Sequence, residues 1–303
     1  SYASDDWFLD KHDSDFSLSW IKKIGSSAQE RDVSMSFDSN KDILIGGSFR
    51  DKVFFTADDS LVSVGLYDVM LAKYDHLNGS LLWKKTVAWG ASGQLIASID
   101  VDRNDEIVVT GFYKDSLVTN VDTLRGSGFQ NYILKLDSNG DFLWSKNILS
   151  SNKTTGTRIF AVSSFTDAYY ISGTYRDSIF FDNDTLLSDV ENKSKTFVYK
   201  LAYDGTSQWA RSSYGNNDDG TGTIAQDLSG NIYISGFYKS TDFRMDSDEN
   251  EISNSIVNNG GSDLFIAKYN KGGELLWLKG YGKAGSDYAI DIKEKEGILY
   301  FTG

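Results

Sequence analysis

The chain has 303 residues, 40% of them hydrophobic, and it carries a formal net charge of −13. This composition predicts a folded protein with a large core and no membrane-inserted segment, and the acidity argues against binding to nucleic acid or to anionic lipid. Because cysteine is absent and the only histidines are His12 and His76, disulfides, thiolate chemistry and most zinc sites are excluded.

The first predicted element is a hairpin marked by a lysine and a tryptophan, and it recurs along the chain. Apolar and polar residues alternate on both sides of a turn rich in Gly, Asn and Asp, as in DVMLAKYDHLNGSLLWKK (68–85), which is typical of two antiparallel strands. The lysines of the five copies are Lys11, Lys73, Lys135, Lys200 and Lys268, and the tryptophans are Trp20, Trp83, Trp144, Trp209 and Trp277.

A second hairpin lies between these copies and ends in a glycine, which is followed by an aromatic residue and a cation. Examples are DILIGGSFRD (42–51), EIVVTGFYKD (106–115), AYYISGTYRD (168–177) and NIYISGFYKS (231–240). We name the strands of this glycine hairpin A and B and those of the tryptophan hairpin C and D. Each repeat of about 63 residues thus predicts four antiparallel strands. The terminal glycines of strand B are Gly47, Gly111, Gly173, Gly236 and Gly303.

Repeated four-stranded antiparallel units are the signature of a β-propeller, in which sheets packed face to face bury surfaces that one sheet alone would expose. We therefore predict an all-β fold in which residues 1–303 form a single five-bladed β-propeller domain with four antiparallel strands per blade. The chain opens at strand C and stops after strand B, so the ring would close by pairing the N-terminal strands C and D with the C-terminal strands A and B. The alternative is a fragment of a longer chain with further repeats.

The fourth repeat, GTIAQDLSGNIYISGFY (222–238) followed by GGSDLFIAKYNKGGELLWLKG (260–280), closely resembles the SBBP-type bacterial β-propeller repeat. The resemblance extends over essentially the whole chain. It implies a secreted, periplasmic or cell-surface bacterial protein, often part of a larger multidomain chain, and it implies no defined catalytic residues. The family name presumes seven blades, whereas five repeats are countable here.

Any binding site is expected on the face that carries the long B–C and D–A connections, because loops carry function more often than strands. The aromatic residues at the start of the D–A loops would form a ring of contacts for a partner, with core packing as the alternative. The candidate binding residues on these loops are Trp89, Gln94, Arg158, Tyr214, Tyr281 and Asp287.

Charged residues around the turns have two further interpretations. The cations that end strand B, namely Arg50, Lys114, Arg176 and Lys239, are interpreted as surface ion pairs with neighbouring aspartates, with a basic ring as the alternative. The acidic stretches 100–106 and 216–223 have the oxygen density that calcium prefers. The first is interpreted as a hairpin turn, and the second makes Asp218 and Asp219 candidate calcium ligands.

Three classes of function follow from these patterns. The first is a non-catalytic protein-binding propeller, extracytoplasmic, without a cofactor, and a possible subunit of a larger envelope or secretion assembly. The second is a carbohydrate-binding lectin, which needs the same aromatic residue in every blade, whereas the matching positions are Ile24, Trp89, Leu149, Tyr214 and Tyr281.

The third class is a glycoside hydrolase, which needs a pair of carboxylates at a fixed separation. Strand A offers Asp100 and Asp291, with Asp32 or Asp287 nearby. The five repeats are too alike to indicate one specialised catalytic centre, so a protein without catalytic activity is predicted, with a protein partner first and a glycan second.

Overall fold

The computed structural model describes residues 6–25, 28, 30–151, 157–165, 167–182, 184–248, 251–252, 255–289 and 291–303. The regular structure of these residues is β-strand, and none of them belongs to a helix long and apolar enough to cross a membrane. The chain divides into two compact units. Unit 1 comprises residues 1–128 and 132–147, and unit 2 comprises residues 129–131 and 148–303.

Unit 1 contains an N-terminal hairpin and two meanders, a meander being the four-stranded sheet of one repeat. Its strands are β1 (Trp7–His12), β2 (Leu18–Ile24), β3 (Glu30–Phe37), β4 (Ile43–Phe49), β5 (Lys52–Phe54), β6 (Ser60–Val62), β7 (Asp68–Tyr74), β8 (Leu81–Ala88), β9 (Gln94–Val101), β10 (Ile107–Val118) and most of β11 (Thr123–Leu136) and β12 (Phe142–Ser150). β1 pairs with β2, and the meanders have the orders β3-β4-β7-β8 and β9-β10-β11-β12.

Unit 2 contains two further meanders and a C-terminal hairpin. Its strands are β13 (Arg158–Phe165), β14 (Ala168–Tyr175), β15 (Ser178–Phe181), β16 (Asp184–Leu187), β17 (Lys195–Ala202), β18 (Ser207–Tyr214), β19 (Asp219–Gln226), β20 (Ile232–Tyr238), β21 (Arg244–Asp248), β22 (Glu251–Ile252), β23 (Asp263–Tyr269), β24 (Leu275–Tyr281), β25 (Asp291–Lys295) and β26 (Ile298–Thr302). The meanders are β13-β14-β17-β18 and β19-β20-β23-β24, and β25 pairs with β26.

The prediction of an all-β chain with four antiparallel strands per repeat is confirmed by these sheets. The predicted glycine hairpin is the A–B pair and the predicted tryptophan hairpin is the C–D pair, as in β4–β3 and β7–β8. Strand B lies between A and C, so both of its edges are hydrogen-bonded, and all residues of β4 are buried. Strand D lies at the outer edge of the meander, and most residues of β8 and β24 are partly or fully exposed.

Small residues in strand A allow neighbouring A strands to approach. In unit 1 the Ser34 hydroxyl accepts the Ile99 N–H at 3.1 Å, and the Ser36 hydroxyl donates to Asp100 at 2.9 Å. In unit 2 the Gln226 side-chain amide donates to the Ser163 hydroxyl at 3.1 Å. Adjacent meanders within each unit therefore meet along their A strands.

The repeated tryptophans and lysines join each meander to its surroundings. The Trp83 ring lies against Gly140 in the C–D turn of the next meander, and Trp209 lies against Gly273 in the same way. Three of the strand C lysines, Lys73, Lys135 and Lys268, contact aspartates in the A–B turns of their own meanders. In the most buried example, Lys135 contacts Asp102 at 3.2 Å. The sequence spacing of these residues therefore reflects packing of the scaffold.

Candidate functional site

The long B–C connections form additional strands, which we name excursions. Their sequences predict loops, but in the described residues they contain β5–β6, the end of β10 with the start of β11, β15–β16 and β21–β22. Each of these strands is too short for its alternation of apolar and polar residues to be distinguished from a loop. The sequence pattern therefore does not predict them.

Each excursion pairs with the end of strand D in the repeat before it. In unit 1, Gly25 and Phe54 exchange both main-chain hydrogen bonds, at 3.2 and 3.1 Å, and Trp89 and Val118 do the same at 2.9 and 2.7 Å. In unit 2, Leu149 and Ser150 pair with Phe180 and Ile179, and Ser213 and Tyr214 pair with Met245 and Arg244. The same strand addition therefore occurs four times in the described chain.

An apolar residue immediately before the paired residue anchors each excursion in the core. All four anchors have no exposed surface, and they are Val53, Leu117, Ile179 and Phe243. Full burial of such a side chain contributes about 1.5–3 kcal/mol. These anchors are residues of the loop face that the sequence analysis did not identify, although the pattern acid, any residue, apolar residue marks three of them.

The aspartate after the strand B cation starts the excursion. Asp51, Asp115 and Asp177 have φ angles of 58°, 65° and 62°, which lie in the left-handed region. Aspartate tolerates this conformation better than most residues with a side chain. The predicted ion pair with the neighbouring aspartate is present between Arg50 and Asp51 at 3.9 Å, whereas Arg176 binds Asp218 at 3.0 Å. The recurring sequence of a cation followed by an aspartate therefore marks the turn at which the excursion begins.

The predicted binding residues of unit 1 are Trp89 and Gln94. Trp89 is half-buried and its main chain is used in the pair with Val118. Gln94 is fully buried, and its amide donates to the Ser116 carbonyl at 2.9 Å. Gln94 therefore holds the excursion of its own meander, while the Trp89 ring retains an exposed part.

The predicted binding residues of unit 2 differ in exposure. Arg158 is exposed at the start of β13, and Tyr281 is exposed at the end of β24 with its ring centroid 5.9 Å from that of Phe301. Tyr214 is half-buried, and burial raises the pKa of its hydroxyl. Asp287 is also half-buried, and it accepts the Lys283 N–H at 3.1 Å.

A residue at or shortly before the start of strand A forms a recurring main-chain link to the residue before strand C of the previous meander. The N–H groups of Gln94, Asp219 and Asp287 donate to the carbonyls of Tyr67, Ser194 and Ser262 at 3.0, 2.9 and 2.6 Å. Gln94 and Asp287 therefore occupy equivalent positions in two repeats, and their side chains lie beside this link.

The predicted calcium ligands are both engaged with cations. Asp218 contacts Arg176 at 3.0 Å and Lys193 at 3.5 Å. Burial acts to raise the pKa of Asp218, but the Ser194 N–H and the two cations outweigh it and the pKa is lowered. Among the described residues, no group of three or more acidic or histidine side chains is arranged to hold a metal ion.

Asp219 belongs to a buried cluster around Lys195. The Lys195 ammonium lies 3.5 Å from Asp219 and 3.3 Å from Asp189, and it donates to the Asn217 carbonyl at 3.1 Å. Burial raises the pKa of Asp219 to about 6, although Ser240 and the Lys195 charge act in the opposite direction. The cluster joins strand C of one meander to strand A of the next.

The strand A carboxylates that a glycoside hydrolase would use accept hydrogen bonds within the scaffold. Asp100 accepts the Ser36 hydroxyl, and Asp291 accepts the Thr223 hydroxyl at 3.4 Å. Asp32 has a φ of 49°, so its role includes a local distortion of β3.

An apolar groove of about 700 Å³ lies in unit 1. Its floor includes Ile43 and Ile45, and its open side is lined by Val33, Met35 and Phe37 of β3 together with Phe8 of β1. Val33, Met35, Phe37 and Phe8 are each more than half exposed. In unit 2, exposed apolar side chains cluster on the C-terminal hairpin at Ile298, Tyr300 and Phe301.

These observations define an all-β repeat protein of four-stranded antiparallel meanders joined by strand addition. No family model matches the chain. The chain is 25% identical over 218 residues to an uncharacterized WD repeat-containing protein of Acanthamoeba polyphaga mimivirus, which covers 62% of this chain and 16% of that protein. This similarity agrees with a repeat protein of propeller-like type, and the chain spans about one sixth of the length of that relative.

A solved structure of a protein of unknown function from Dyadobacter fermentans aligns with a TM-score of 0.37 and 9% identity. The alignment covers 86% of this chain and 82% of that one. At this score the similarity has no bearing on fold or function.

Proposed function

We propose that the chain is a non-catalytic, protein-binding β-propeller of five blades. Four blades are the meanders, and the fifth forms when the C-terminal hairpin (β25–β26) supplies strands A and B and the N-terminal hairpin (β1–β2) supplies strands C and D. The proposal is supported by the exposed apolar residues on both hairpins and by the open groove beside β1. Burial of these surfaces would favour closure by about 25 cal/mol per Å² of apolar area.

The other meanders specify the register of this fifth blade. Gly47 lies opposite Met70 and Gly236 lies opposite Phe265, so the residue opposite the strand B glycine is always three before the strand C lysine. The same register places Gly303 opposite Phe8 and Tyr300 opposite Lys11. A one-residue shift would turn every side chain to the other face, so the register is a strict test.

Engineered disulfides test the closure, since the chain has no cysteine of its own. The double variant Lys11→Cys/Tyr300→Cys should form an intramolecular disulfide under mild oxidation, seen by mass spectrometry. The control Asp10→Cys/Tyr300→Cys places one thiol on the opposite face and should not. A disulfide between two molecules, or equal yields from both variants, would contradict closure within one chain.

The observation that favours a protein partner is an exposed aliphatic residue on every excursion. These residues are Val62, Val121, Leu187 and Val257, and Val64 and Leu66 extend the first of them. Recurrence on the same connection in four repeats distinguishes them from isolated exposed apolar residues, which are normal. The loop face therefore offers apolar contacts at several points, as a protein partner requires.

Site-specific photo-crosslinking tests this function. A photoreactive amino acid at Val64 or Val121 should capture a discrete protein in an extract of the cells that produce the chain. The controls are the exposed Leu77 and Leu228, which lie in a C–D and an A–B turn. Capture at the turns but not at the excursions would contradict the proposal.

A glycan is the alternative ligand. Glycan binding would use the rings of Trp89, Tyr214 and Tyr281, of which Tyr281 is the exposed one. Binding to a glycan array that is lost in Tyr281→Ala would favour this alternative over a protein partner. A hydrolytic activity that is lost in Asp100→Asn would instead favour an enzyme.

We propose an extracytoplasmic bacterial location, secreted, periplasmic or on the cell surface, with a place in a larger envelope or secretion assembly. The support is the resemblance of 222–238 and 260–280 to the SBBP-type repeat. Fractionation of the native cells with an antibody against the chain tests this location, and recovery in the cytosol would contradict it.

A further inference from the structure

We propose that the fourth excursion, which connects β20 to β23, is docked onto β18 at acid pH and is released from it as the pH rises through neutrality. The proposal goes beyond the proposed function, because it concerns the chain by itself and needs no partner. It follows from the place of one carboxylate, that of Asp246, in the contact between the excursion and the core.

Asp246 continues the strand addition of the fourth excursion by a side-chain contact. β21 pairs with the end of β18 through Met245, which lies opposite Ser213. One residue further along, the Ser212 N–H donates to the Asp246 carboxylate at 2.7 Å. The main-chain carbonyl of Asp246 accepts the Tyr269 hydroxyl at 2.9 Å, and both Tyr269 and Met245 are fully buried. Docking of this excursion therefore includes a hydrogen bond to an ionisable group that lies against the core.

The surroundings of the Asp246 carboxylate disfavour its charged form. Burial raises the pKa of Asp246 to about 7. The Ser212 N–H and the Arg211 charge act in the opposite direction, whereas the like charge of Asp184 on β16 acts together with burial. Release of the excursion removes the cost of the buried charge, because the carboxylate is then hydrated.

Neutral side chains supply the other polar groups around Asp246. β24 also packs against β21, and its charged residue, Lys279, lies over the Trp277 ring. Three tyrosines interact with the Asp246 charge, and each has a pKa raised above the usual 10, namely Tyr175, Tyr214 and Tyr269. The tyrosines therefore stay neutral between pH 5 and pH 8, whereas Asp246 changes its charge.

The proton that Asp246 binds favours the docked state. The pKa of Asp246 is about 7 when the excursion is docked and returns towards the ordinary 3.8 when it is released, so the docked state binds the proton more tightly. This stabilisation of the docked state is full below about pH 4 and is lost as the pH rises through 7. Between pH 5.5 and pH 8, the equilibrium constant for release should increase about 30-fold.

Asp219 adds a smaller effect at the start of the same excursion. Its carboxylate accepts the N–H groups of Lys239 and Ser240 at 3.0 and 3.2 Å. Because its pKa is about 6, Asp219 adds at most about fourfold to the pH dependence of release over this range. The proposal does not depend on this contribution, which is unchanged by substitutions at Asp246.

The second excursion is an internal control, because amides take the places of both carboxylates. Gln94 occupies the position of Asp219, and its amide donates to the Ser116 carbonyl at 2.9 Å. Asn120 occupies the position of Asp246, two residues after the residue that pairs with strand D. Docking of the second excursion is therefore expected to vary little between pH 5.5 and pH 8.

Hydrogen–deuterium exchange of the purified chain, followed by mass spectrometry, tests the proposal. Exchange rates at pH 5.5 and pH 8 are divided by the intrinsic chemical rates at the same pH, so that the ratio reports opening. The amides of β21 should lose about 30-fold or more of their protection at pH 8, whereas those of Leu117 and Val118 in β10 should change less than about threefold. Equal protection of β21 at both pH values, or greater protection at pH 8, would overturn the proposal.

Substitution of Asp246 assigns the effect to its carboxylate. Asp246→Asn keeps an oxygen that accepts the Ser212 N–H but binds no proton, so the loss of protection at β21 should fall to about fourfold. Asp242→Asn is the matched control in the same excursion, because its carboxylate is 46% exposed, and it should keep the full effect of about 30-fold. An unchanged pH effect in Asp246→Asn would also overturn the proposal. If Asp246→Asn does not fold, the comparison of β21 with β10 in the wild type decides alone.

These outcomes separate the inference from the proposed function. The fourth excursion carries Val257, which is 60% exposed and is one of the apolar contacts of the proposed function, so release would remove that contact from the loop face. Exchange is measured without a partner. A pH-dependent excursion without crosslinks at Val64 or Val121 would keep the inference and remove the proposed function, and crosslinks with pH-independent exchange would do the reverse.

Discussion

Lys195 and Asp219 form an ion pair between two side chains that are both fully buried, with 3.5 Å between the ammonium and the carboxylate. The pair connects strand C of one meander to strand A of the next. Burying two charges has a large desolvation cost. Such a pair therefore defines the geometry of the contact more than it stabilises the fold.

The first prediction concerns the pH dependence of this pair. The pKa of Asp219 is raised to about 6 in the folded chain, from 3.8 for an ordinary aspartate, because burial disfavours the carboxylate. The folded state therefore binds a proton more tightly than the unfolded state. This contribution to stability is full below about pH 4, falls through pH 6 and is absent above it, with a size of about 3 kcal/mol.

Urea unfolding of the wild type and Asp219→Asn between pH 4 and pH 7 measures this effect. The unfolding free energy of the wild type minus that of Asp219→Asn should decrease as pH rises. A difference that is flat, or that shifts in the opposite direction, would show that Lys195 holds the pKa of Asp219 down.

The second prediction concerns Lys135, whose ammonium lies 3.2 Å from Asp102 and 2.6 Å from Glu106. Lys135→Met keeps the volume but leaves the buried Asp102 carboxylate without its cation, so stability should fall by about 3–5 kcal/mol. Asp102→Asn in the same chain should recover part of that loss, because no unpaired charge remains. Lys85→Met breaks the exposed pair with Asp141 and should cost under about 1 kcal/mol.

Chemical denaturation of four variants, namely Lys135→Met, Asp102→Asn, the double variant and Lys85→Met, gives these values. Equal losses of unfolding free energy in Lys135→Met and Lys85→Met would show that burial does not determine how much an ion pair contributes to stability. Additive effects of Lys135→Met and Asp102→Asn would show that the two residues are not coupled.

The third prediction concerns the C–D turn glycine at 140. Its φ is 76°, and a side-chain carbon there would lie 3.1 Å from the Trp83 ring. Gly140→Ala should therefore lower the unfolding free energy by about 1–2 kcal/mol from backbone strain alone, with crowding of Trp83 in addition. Gly285→Ala is the matched control, because the added carbon meets nothing within 4 Å. Equal melting temperatures of Gly140→Ala and Gly285→Ala in thermal unfolding would contradict this role of Gly140.

The fourth prediction concerns the start of the first excursion. Asp51 has a φ of 58°, so Asp51→Val should destabilise the chain by about 1–2 kcal/mol, while Asp51→Gly should be neutral or stabilising. The nearby exposed Asp58 is the control, and Asp58→Val should stay within about 0.5 kcal/mol of the wild type. A loss in Asp51→Gly as large as that in Asp51→Val would assign the effect to the Arg50 contact and not to the backbone.

The repeated pattern of the sequence determined the strands and their order within a meander. Apolar alternation has the period of a β-strand, and the short Gly and Asn turns between the alternating segments require antiparallel pairing, so the A–B and C–D hairpins were predictable from residues such as Lys73, Trp83 and Gly47. These are local signals, and each copy repeats them.

The excursions and the use of the candidate residues were decided by tertiary structure. Val53 and Leu117 look like ordinary loop residues in sequence, because burial depends on which edge the excursion meets. Gln94 was predicted as a contact residue, but the approach of Ser116 buries it. A short strand carries too few residues to specify its partner strand, so only the packing of one repeat against the next determines where it pairs.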